Sequence, residues 1–264
     1  MDFKEKVVWI TGASSGIGEE LAYLFSKEQA KLVISSQDEK ELNRVRDKCL
    51  SFSENCFSIV FDLLDTKNIK DIVDQVINRY GSIDILINCG GISQRSLASE
   101  TSVVIDRKIM EINFFGTVAL VKACLPHMLV QNRGHIVAIS SITGKFGFPL
   151  RSAYSASKHA ILGFFDSLRI ELSEKNIKVT VFLPGRIKTN ISLNSITKEG
   201  SLYGKMDDGQ KNGMSAKECA EKMIRAIRKG KKEVLIGNSE ILMVYIKRFF
   251  PALFFKLARK IKPT

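Results

Sequence analysis

Seven short runs rich in valine and isoleucine, set between longer amphipathic stretches, constrain this chain more than any other feature. The runs are KVVWI (6–10), KLVIS (31–35), CFSIVF (56–61), IDILIN (83–88), GHIVAIS (134–140), IKVTVF (177–182) and EVLIG (233–237). They show little polar alternation, as expected of strands covered on both faces. The intervening spacing predicts helices over 16–28, 39–50, 66–80, 102–131, 152–175 and 215–230. This alternation predicts an α/β, doubly wound fold: a seven-stranded parallel sheet flanked by helices, with right-handed crossovers. Ligands of such sheets bind outside the carboxyl ends of the strands, where the strand order reverses.

The 264 residues suit one large domain, with no repeat, low-complexity tract or long linker to divide them. The division read from the sequence is 1–239 as the domain and 240–264 as an apolar, basic tail packed on it or appended to it. Of the net charge of +12, +9 falls in the last 48 residues. A C-terminal concentration of charge without a nucleic-acid motif argues against a nucleic-acid partner. The five cysteines are odd in number and scattered, which points to reduced thiols rather than a disulfide framework or zinc site. The three histidines are also dispersed, and no metal site is expected. The N-terminus runs at once into a strand with no signal segment. No uninterrupted apolar run reaches the roughly 18 residues of a spanning helix. The expectation is a protein that is not secreted.

The first strand ends in TGASSGIGEEL, with Gly12, Gly16 and Gly18. Glycine permits a tight turn and a close approach of backbone to ligand. The helix opening there offers its free N–H groups and dipole to an anion. Ser14 and Ile17 belong to the same turn. By position this is a dinucleotide pyrophosphate site, although its spacing, G-x-x-x-G-x-G, differs from the G-x-G-x-x-G fingerprint. The fold class is therefore Rossmann-type.

The TGASSGIG turn, NCGG at 88–91, Asn113, the serine pair at 140–141 and YSASK at 154–158 together resemble the short-chain dehydrogenase/reductase family, single-domain type. The resemblance covers about residues 4–237 in order, and GHIVAISSITGKFGFPLRSAYSASKHAILGFFDSLRIEL is most similar to the branch that holds dehydrogenase/reductase member 7 and 11β-hydroxysteroid dehydrogenase type 1. NCGG departs from the family's usual N-N-A-G, with Cys89 in place of Asn and Gly90 in place of Ala.

Hydride exchange with a carbonyl needs a general acid/base and a hydrogen-bond donor at the same oxygen. Tyr154 supplies the first. Lys158, one helical turn on, is expected to lower the phenol's pKa together with an oxidised nicotinamide, and its three donors suit the nicotinamide ribose. The resemblance implies the ribose role too. It also implies that Ser141, rather than Ser140, polarises the substrate oxygen. Asn113 either makes a buried helix-to-backbone bond or, by resemblance, supports a water that relays protons to Lys158. The resemblance further implies that Asp62 and Leu63 frame the adenine, that Asn88 and Gly90 border the adenosine ribose, and that Ile187 and Thr189 hold the carboxamide.

An acidic side chain after the second strand bonds a ribose 2′-hydroxyl and repels a 2′-phosphate. The aligned position is Ser36, followed by Gln37, and neither is acidic. Asp38 lies 20 residues after Gly18, but Asp38-x-x-Glu41 reads as a capping box. NADP is therefore favoured over NAD. In the tail, 12 of the 15 residues 241–255 are apolar, interrupted by Lys247, Arg248 and Pro251 and followed by Lys256, Arg259, Lys260 and Lys262. Two readings stand: a basic amphipathic segment lying peripherally on an intracellular membrane such as the endoplasmic reticulum, from the cytoplasmic side, or a segment packed over the substrate cleft or a second subunit. The combined expectation is an NADP(H)-preferring oxidoreductase interconverting a ketone and a secondary alcohol on an apolar small molecule such as a steroid, retinoid or other lipid. A homodimer or homotetramer is implied by the family. The alternatives are an NAD-linked dehydrogenase of small polar alcohols and a non-enzymatic, membrane-associated dinucleotide-binding scaffold.

Overall fold

The computed structural model describes residues 2–261; Lys262 of the basic tail lies outside them. Strands β1 (Val7–Thr11), β2 (Lys31–Ser36), β3 (Cys56–Val60), β4 (Ile85–Asn88), β5 (Gly134–Ile139), β6 (Ile177–Pro184) and β9 (Glu233–Ile236) form one parallel sheet in the order β3-β2-β1-β4-β5-β6-β9. The chain first builds outward from β1 to β3, then returns to place β4 on the other side of β1. Thr11 consequently pairs with Ser35 on one flank and Asn88 on the other. That reversal opens the crevice at the carboxyl ends.

Every residue of β1 is buried, yet its side chains divide between two cores. Val8 and Ile10 face helices α1 (Gly16–Lys27), α2 (Glu39–Leu50) and α8 (Ala216–Arg228), while Val7 and Trp9 face α3 (Ile69–Tyr80), α5 (Gly116–Val130) and α6 (Ser152–Glu171). The period of two along a strand makes this division, and full burial of each such side chain stabilises the fold by roughly 1.5–3 kcal/mol. Trp9 is buried because its indole Nε1 donates to Ser35 Oγ at 3.0 Å, which removes the penalty of an unpaired donor.

The helix expected over 102–131 is instead α4 (Val103–Met110), a π-helical turn at Glu111–Phe115, and α5. Asn113 occupies the π turn. Its Oδ1 accepts from Ile92 N at 2.8 Å and its Nδ2 donates to Ile92 O at 2.9 Å and Ser157 Oγ at 3.0 Å. These bonds tie the turn to the loop after β4, and a π turn supplies the one-residue insertion they need. By length and composition the helical run Val103–Val130 is apolar enough to cross a membrane. One side of it is built into the domain, however: Ile112, Leu120, Val121, Cys124 and Met128 belong to the core of one sheet face.

The irregular 186–214 stretch contains β7 (Ile187–Lys188), the short α7 (Asp208–Lys211) and β8 (Met214–Ser215), with β7 and β8 paired in parallel. Past β9, the tail forms two helices, α9 (Leu242–Phe249) and α10 (Pro251–Ala258). Pro251, at the first turn of α10, has no N–H to continue α9 and a backbone angle suited to starting a helix. Phe254 and Ala258 pack on Ile142 and Phe146, the latter with ring centroids 5.1 Å apart.

Candidate active site

A cleft of about 970 Å3 runs across the carboxyl ends of the sheet, the size expected of a small-molecule site. Its floor at β1 is the glycine turn. Gly12 has φ +64°, and a Cβ there would lie 2.6 Å from Gly90 Cα. A Cβ on Gly18 would lie 2.3 Å from Gly12 O. The first glycine therefore brings the turn against the end of β4, and the second brings α1 onto the turn. The resulting cradle has backbone where side chains would otherwise stand, and it presents the start of α1 to the cleft. These residues fit a dinucleotide pyrophosphate.

Of the residues singled out in the sequence, Gly12, Ser14, Gly16, Ile17, Ser36, Gln37, Asp62, Leu63, Gly90, Ser141, Tyr154, Lys158, Ile187 and Thr189 line this cleft. Gly18, Asn88 and Asn113 do not. Gly18 is consumed by packing. Asn88 is buried and turned into the sheet, where its Nδ2 donates to Val137 O at 3.1 Å. Asn113 lies behind the wall: a Cβ on Gly91 would come within 2.9 Å of Asn113 Oδ1 and 3.5 Å of Lys158 Nζ. The bond of Asn113 to the backbone of Ile92 is thus present, beside Lys158.

Asp38 caps α2, its carboxylate accepting from Glu41 N at 3.1 Å. Glu41 does not return the bond. It pairs instead with Arg44 at 2.7 Å, and Arg44 also reaches Glu19 at 2.7 Å and Ser14 O at 3.3 Å. Sequence reading missed Arg44, which lines the cleft beside Ser14, Ser36 and Gln37. Its position two turns into α2 gave it no link to the glycine turn until α2 was packed on α1.

At the other end of the cleft, Ser141, Tyr154 and Lys158 converge. Ser140 Oγ donates to Lys158 O at 2.9 Å and is committed to the backbone. Ser141 caps a short 3-10 turn, accepting from Thr143 N at 3.2 Å, its hydroxyl donates to Pro184 O at 3.4 Å, and it stands close enough to the Tyr154 phenol to favour the ionised form. Lys158 Nζ donates to Ile139 O at 2.9 Å and sits 5.7 Å from the centre of the Tyr154 ring. Burial pulls the ammonium down to a pKa of about 8, with Cys89 acting in the opposite sense.

At Tyr154, burial works against the phenolate. Burial raises the phenol above its ordinary value, and the opposing influences are the Ser141 hydrogen bond and the guanidiniums of Arg95 and Arg151. The lysine is turned toward the end of β5, where it bonds the Ile139 carbonyl. Neither arginine was found in the sequence, although Arg151 stands only three residues before Tyr154. Gln94 was missed too: its Oε1 accepts from Ala153 N at 2.9 Å. It caps the start of α6 from a distance, where the helix has no capping side chain of its own.

The family model for short chain dehydrogenases matches residues 6–200. The chain belongs to the short-chain dehydrogenase/reductase family. It is 46% identical over 259 residues to the mouse protein named dehydrogenase/reductase SDR family member 7B, covering 96% of this chain and 80% of that one. It is 43% identical over 261 residues to an Anopheles gambiae protein named dehydrogenase/reductase SDR family protein 7-like, covering 97% and 82%. These relatives place this dehydrogenase/reductase in the member 7 branch, as an NAD(P)-dependent oxidoreductase. Among solved structures, a Burkholderia phymatum short-chain dehydrogenase/reductase in complex with NAD superposes with a TM-score of 0.85 at 21% identity, covering 100% of this chain and 98% of that one. A serine dehydrogenase in its closed form, complexed with NADP+, gives 0.79 at 23% identity, covering 88% and 94%. At such identities the likeness is one of fold.

Proposed function

We propose that this short-chain dehydrogenase/reductase uses NADP(H) to interconvert a ketone and a secondary alcohol on an apolar molecule, a steroid, retinoid or other lipid. The observation that carries this reading is the meeting of Ser141, Tyr154 and Lys158 at the end of a dinucleotide-shaped cleft. When bound, the nicotinamide group supplies or takes the hydride. Tyr154 gives its phenolic proton to the substrate oxygen during reduction and takes it back during oxidation. Ser141 holds that oxygen by hydrogen bonding. Lys158 orients a ribose, and Asn113 holds the Ile92 backbone and supports a water beside Lys158. Asp62, Leu63, Asn88 and Gly90 serve the adenosine half, with Asn88 acting through the strand end rather than its side chain. Ile187 and Thr189 hold the carboxamide. Ile92, Ile191, Ile196 and Leu202 line the substrate end, which supports an apolar substrate. A panel of carbonyls and alcohols assayed with both cofactors tests the reading, and turnover confined to small polar alcohols would overturn it.

Arg44 supports NADP, because a guanidinium beside Ser14 and Ser36 suits a 2′-phosphate. One observation favours NAD instead: Glu19 and Glu41 already pair with Arg44. Replacing Arg44 with Gln decides between them. We expect kcat/KM for NADPH to fall about tenfold or more, the worth of one charge-assisted contact, with NADH changed less than about twofold. Equal losses with both cofactors would remove Arg44 from 2′-phosphate recognition.

The same proposal places 240–264 as a tail appended to the catalytic domain 1–239 and resting peripherally on an intracellular membrane, such as the endoplasmic reticulum, from its cytoplasmic side. Phe254 is spent on Phe146, but Tyr245, Phe249, Phe250, Leu253 and Phe255 remain exposed. Lys247, Arg248, Lys256, Arg259 and Lys260 stand among them, as apolar anchors and cations do at an anionic lipid surface. The full chain should float with anionic liposomes, and a chain ending at Ser239 should not; equal behaviour would refute attachment. Assembly into a homodimer or homotetramer is proposed through α4, the π-helical turn, α5 and α6, where Val103, Val104, Phe115, Val130 and Ile170 are exposed.

A further inference from the structure

The helix that carries Tyr154 begins without a cap of its own. Arg151, at the N-cap position of α6, makes no capping side-chain bond. Ala153 stands at the second helical position, whose N–H a capping side chain normally receives. Its acceptor comes from 59 residues earlier in the chain: Gln94 Oε1 accepts from Ala153 N at 2.9 Å. A backbone N–H can only donate, so this bond fixes which end of the Gln94 amide points at the helix. The other end is used as fully. Gln94 Nε2 lies 3.1 Å from Thr101 Oγ1, 3.2 Å from Ser96 Oγ and 3.3 Å from Ser152 Oγ. Gln94 is 0% exposed, and a glutamine so desolvated is tolerated only with both ends bonded. A short polar side chain in place of Arg151 would have capped the helix locally. A cap from a distance does what a local one cannot: it fixes where the helix starts relative to another part of the fold.

That part is the segment after β4. Gly90, Gly91 and Ile92, just before it, line the cleft, and the Ile92 backbone is held by Asn113. On its other side, Gln94 is paired in parallel with Ile196. Arg95 N donates to Ile196 O at 2.9 Å, and Ile196 N donates to Ser93 O at 2.9 Å. Ile196 lines the substrate end of the cleft. A further tie, from Ser96 N to Leu150 O at 3.3 Å, holds the residue two before α6. Leu150 has φ +64°, a left-handed conformation that a leucine keeps only where its surroundings dictate it. Residues 93–96 thus join three things: the wall at Gly90 and Gly91, the wall at Ile196, and the start of α6. Gln94 is the junction, and it grips the helix one residue before Tyr154.

We infer that Gln94 is a positioning residue for proton exchange: by capping α6 from the 93–96 segment, it sets the Tyr154 phenol in register with both walls of the cleft. Gln94 does not itself line the cleft. It acts through the backbone of Ala153, and misplacing a reacting group by about 1 Å costs on the order of a hundredfold in rate. α6 is 20 residues long, so losing one bond at its first turn lets the start shift while the remainder stays helical. The inference rests on Tyr154 being the acid/base group.

Gln94→Leu keeps much of the side chain's bulk and removes the acceptor. We expect kcat to fall about thirtyfold, with dinucleotide Kd within about twofold of wild type. Hydrogen exchange at the Ala153 amide should quicken by about tenfold or more, with the amides at the far end of α6 unchanged. A role confined to stability predicts the reverse split, a lower melting temperature with kcat of the folded enzyme unchanged, and that result would overturn the inference. A double-mutant cycle adds a stricter reading. In a Tyr154→Phe background, Gln94→Leu should lower the residual turnover by less than about threefold, because the group it positions is already gone. A full thirtyfold loss in that background would mean that Gln94 acts on something other than the phenol. If Gln94→Leu does not fold, Gln94→Asn, one methylene too short for Ala153 N, is held to the same expectations. The two readings fail separately. A Tyr154→Phe enzyme as active as wild type removes the acid/base reading, whereas full kcat in Gln94→Leu beside an inactive Tyr154→Phe removes the positioning role alone.

Discussion

Tyr154→Phe is expected to lower turnover by about a thousandfold while leaving dinucleotide affinity within about twofold of wild type. A positioned acid/base contributes 10²–10⁴ in rate, and the change removes one oxygen without disturbing the ring, which is buried against α6's surroundings. The phenol leaves no orphaned acceptor of consequence, because Ser141 Oγ keeps its bond from Thr143 N. Stability should therefore change little. Steady-state kinetics in both directions, with calorimetric measurement of cofactor binding, checks both halves of the expectation. Unchanged turnover would sink the proposed mechanism; lost cofactor binding would mean that the residue's role is architectural.

The second large effect is expected at the glycine turn. Gly12→Ala should destabilise the protein by about 3 kcal/mol or more, the sum of left-handed backbone strain and a forced contact. The contact is with backbone, Gly90 Cα at 2.6 Å and Gly90 N at 2.7 Å, so no side chain can turn aside to relieve it. A shift of that size lowers the unfolding temperature of a domain this large by roughly 8 °C, and dinucleotide affinity should drop more than tenfold as the turn lifts from β4. Gly81→Ala is the control. It shares a positive φ, +76°, but nothing lies within 4 Å of the added carbon, so about 1 kcal/mol of strain alone is expected. Equal melting shifts in the two variants would show that the crowding at Gly90 has no energetic weight.

Legibility differed between parts of the molecule for physical reasons. The strands were readable because burial on both faces demands unbroken apolar runs, and each run from KVVWI to EVLIG became a strand of the sheet. The helix over 102–131 was legible as helical but not as interrupted. The π turn answers to a partner, the Ile92 backbone, that is 21 residues away in sequence. Asp38 was read as a cap because capping is local: donor and acceptor are three residues apart. Arg44 was invisible for the opposite reason, since its partners Glu19 and Ser14 lie on another helix and its preceding turn. The tail's composition announced an apolar and basic segment, but its division of labour, Phe254 inward and Phe249, Phe250 and Phe255 outward, depends on where α10 meets the turn after Ser141.

By itself the sequence determined the strand set, the glycine turn after β1 and the spacing of Ser141, Tyr154 and Lys158. All three follow from local rules of periodicity, glycine stereochemistry and helical repeat that act within a few residues. Tertiary structure alone decided what surrounds the helix start that carries Tyr154. Lys158, four residues away, is drawn to the end of β5, while Arg95 and Asp207, separated by 112 positions in sequence, are brought to the helix start instead. Electrostatic influence depends on distance through space and on burial, and neither quantity exists until the chain has folded.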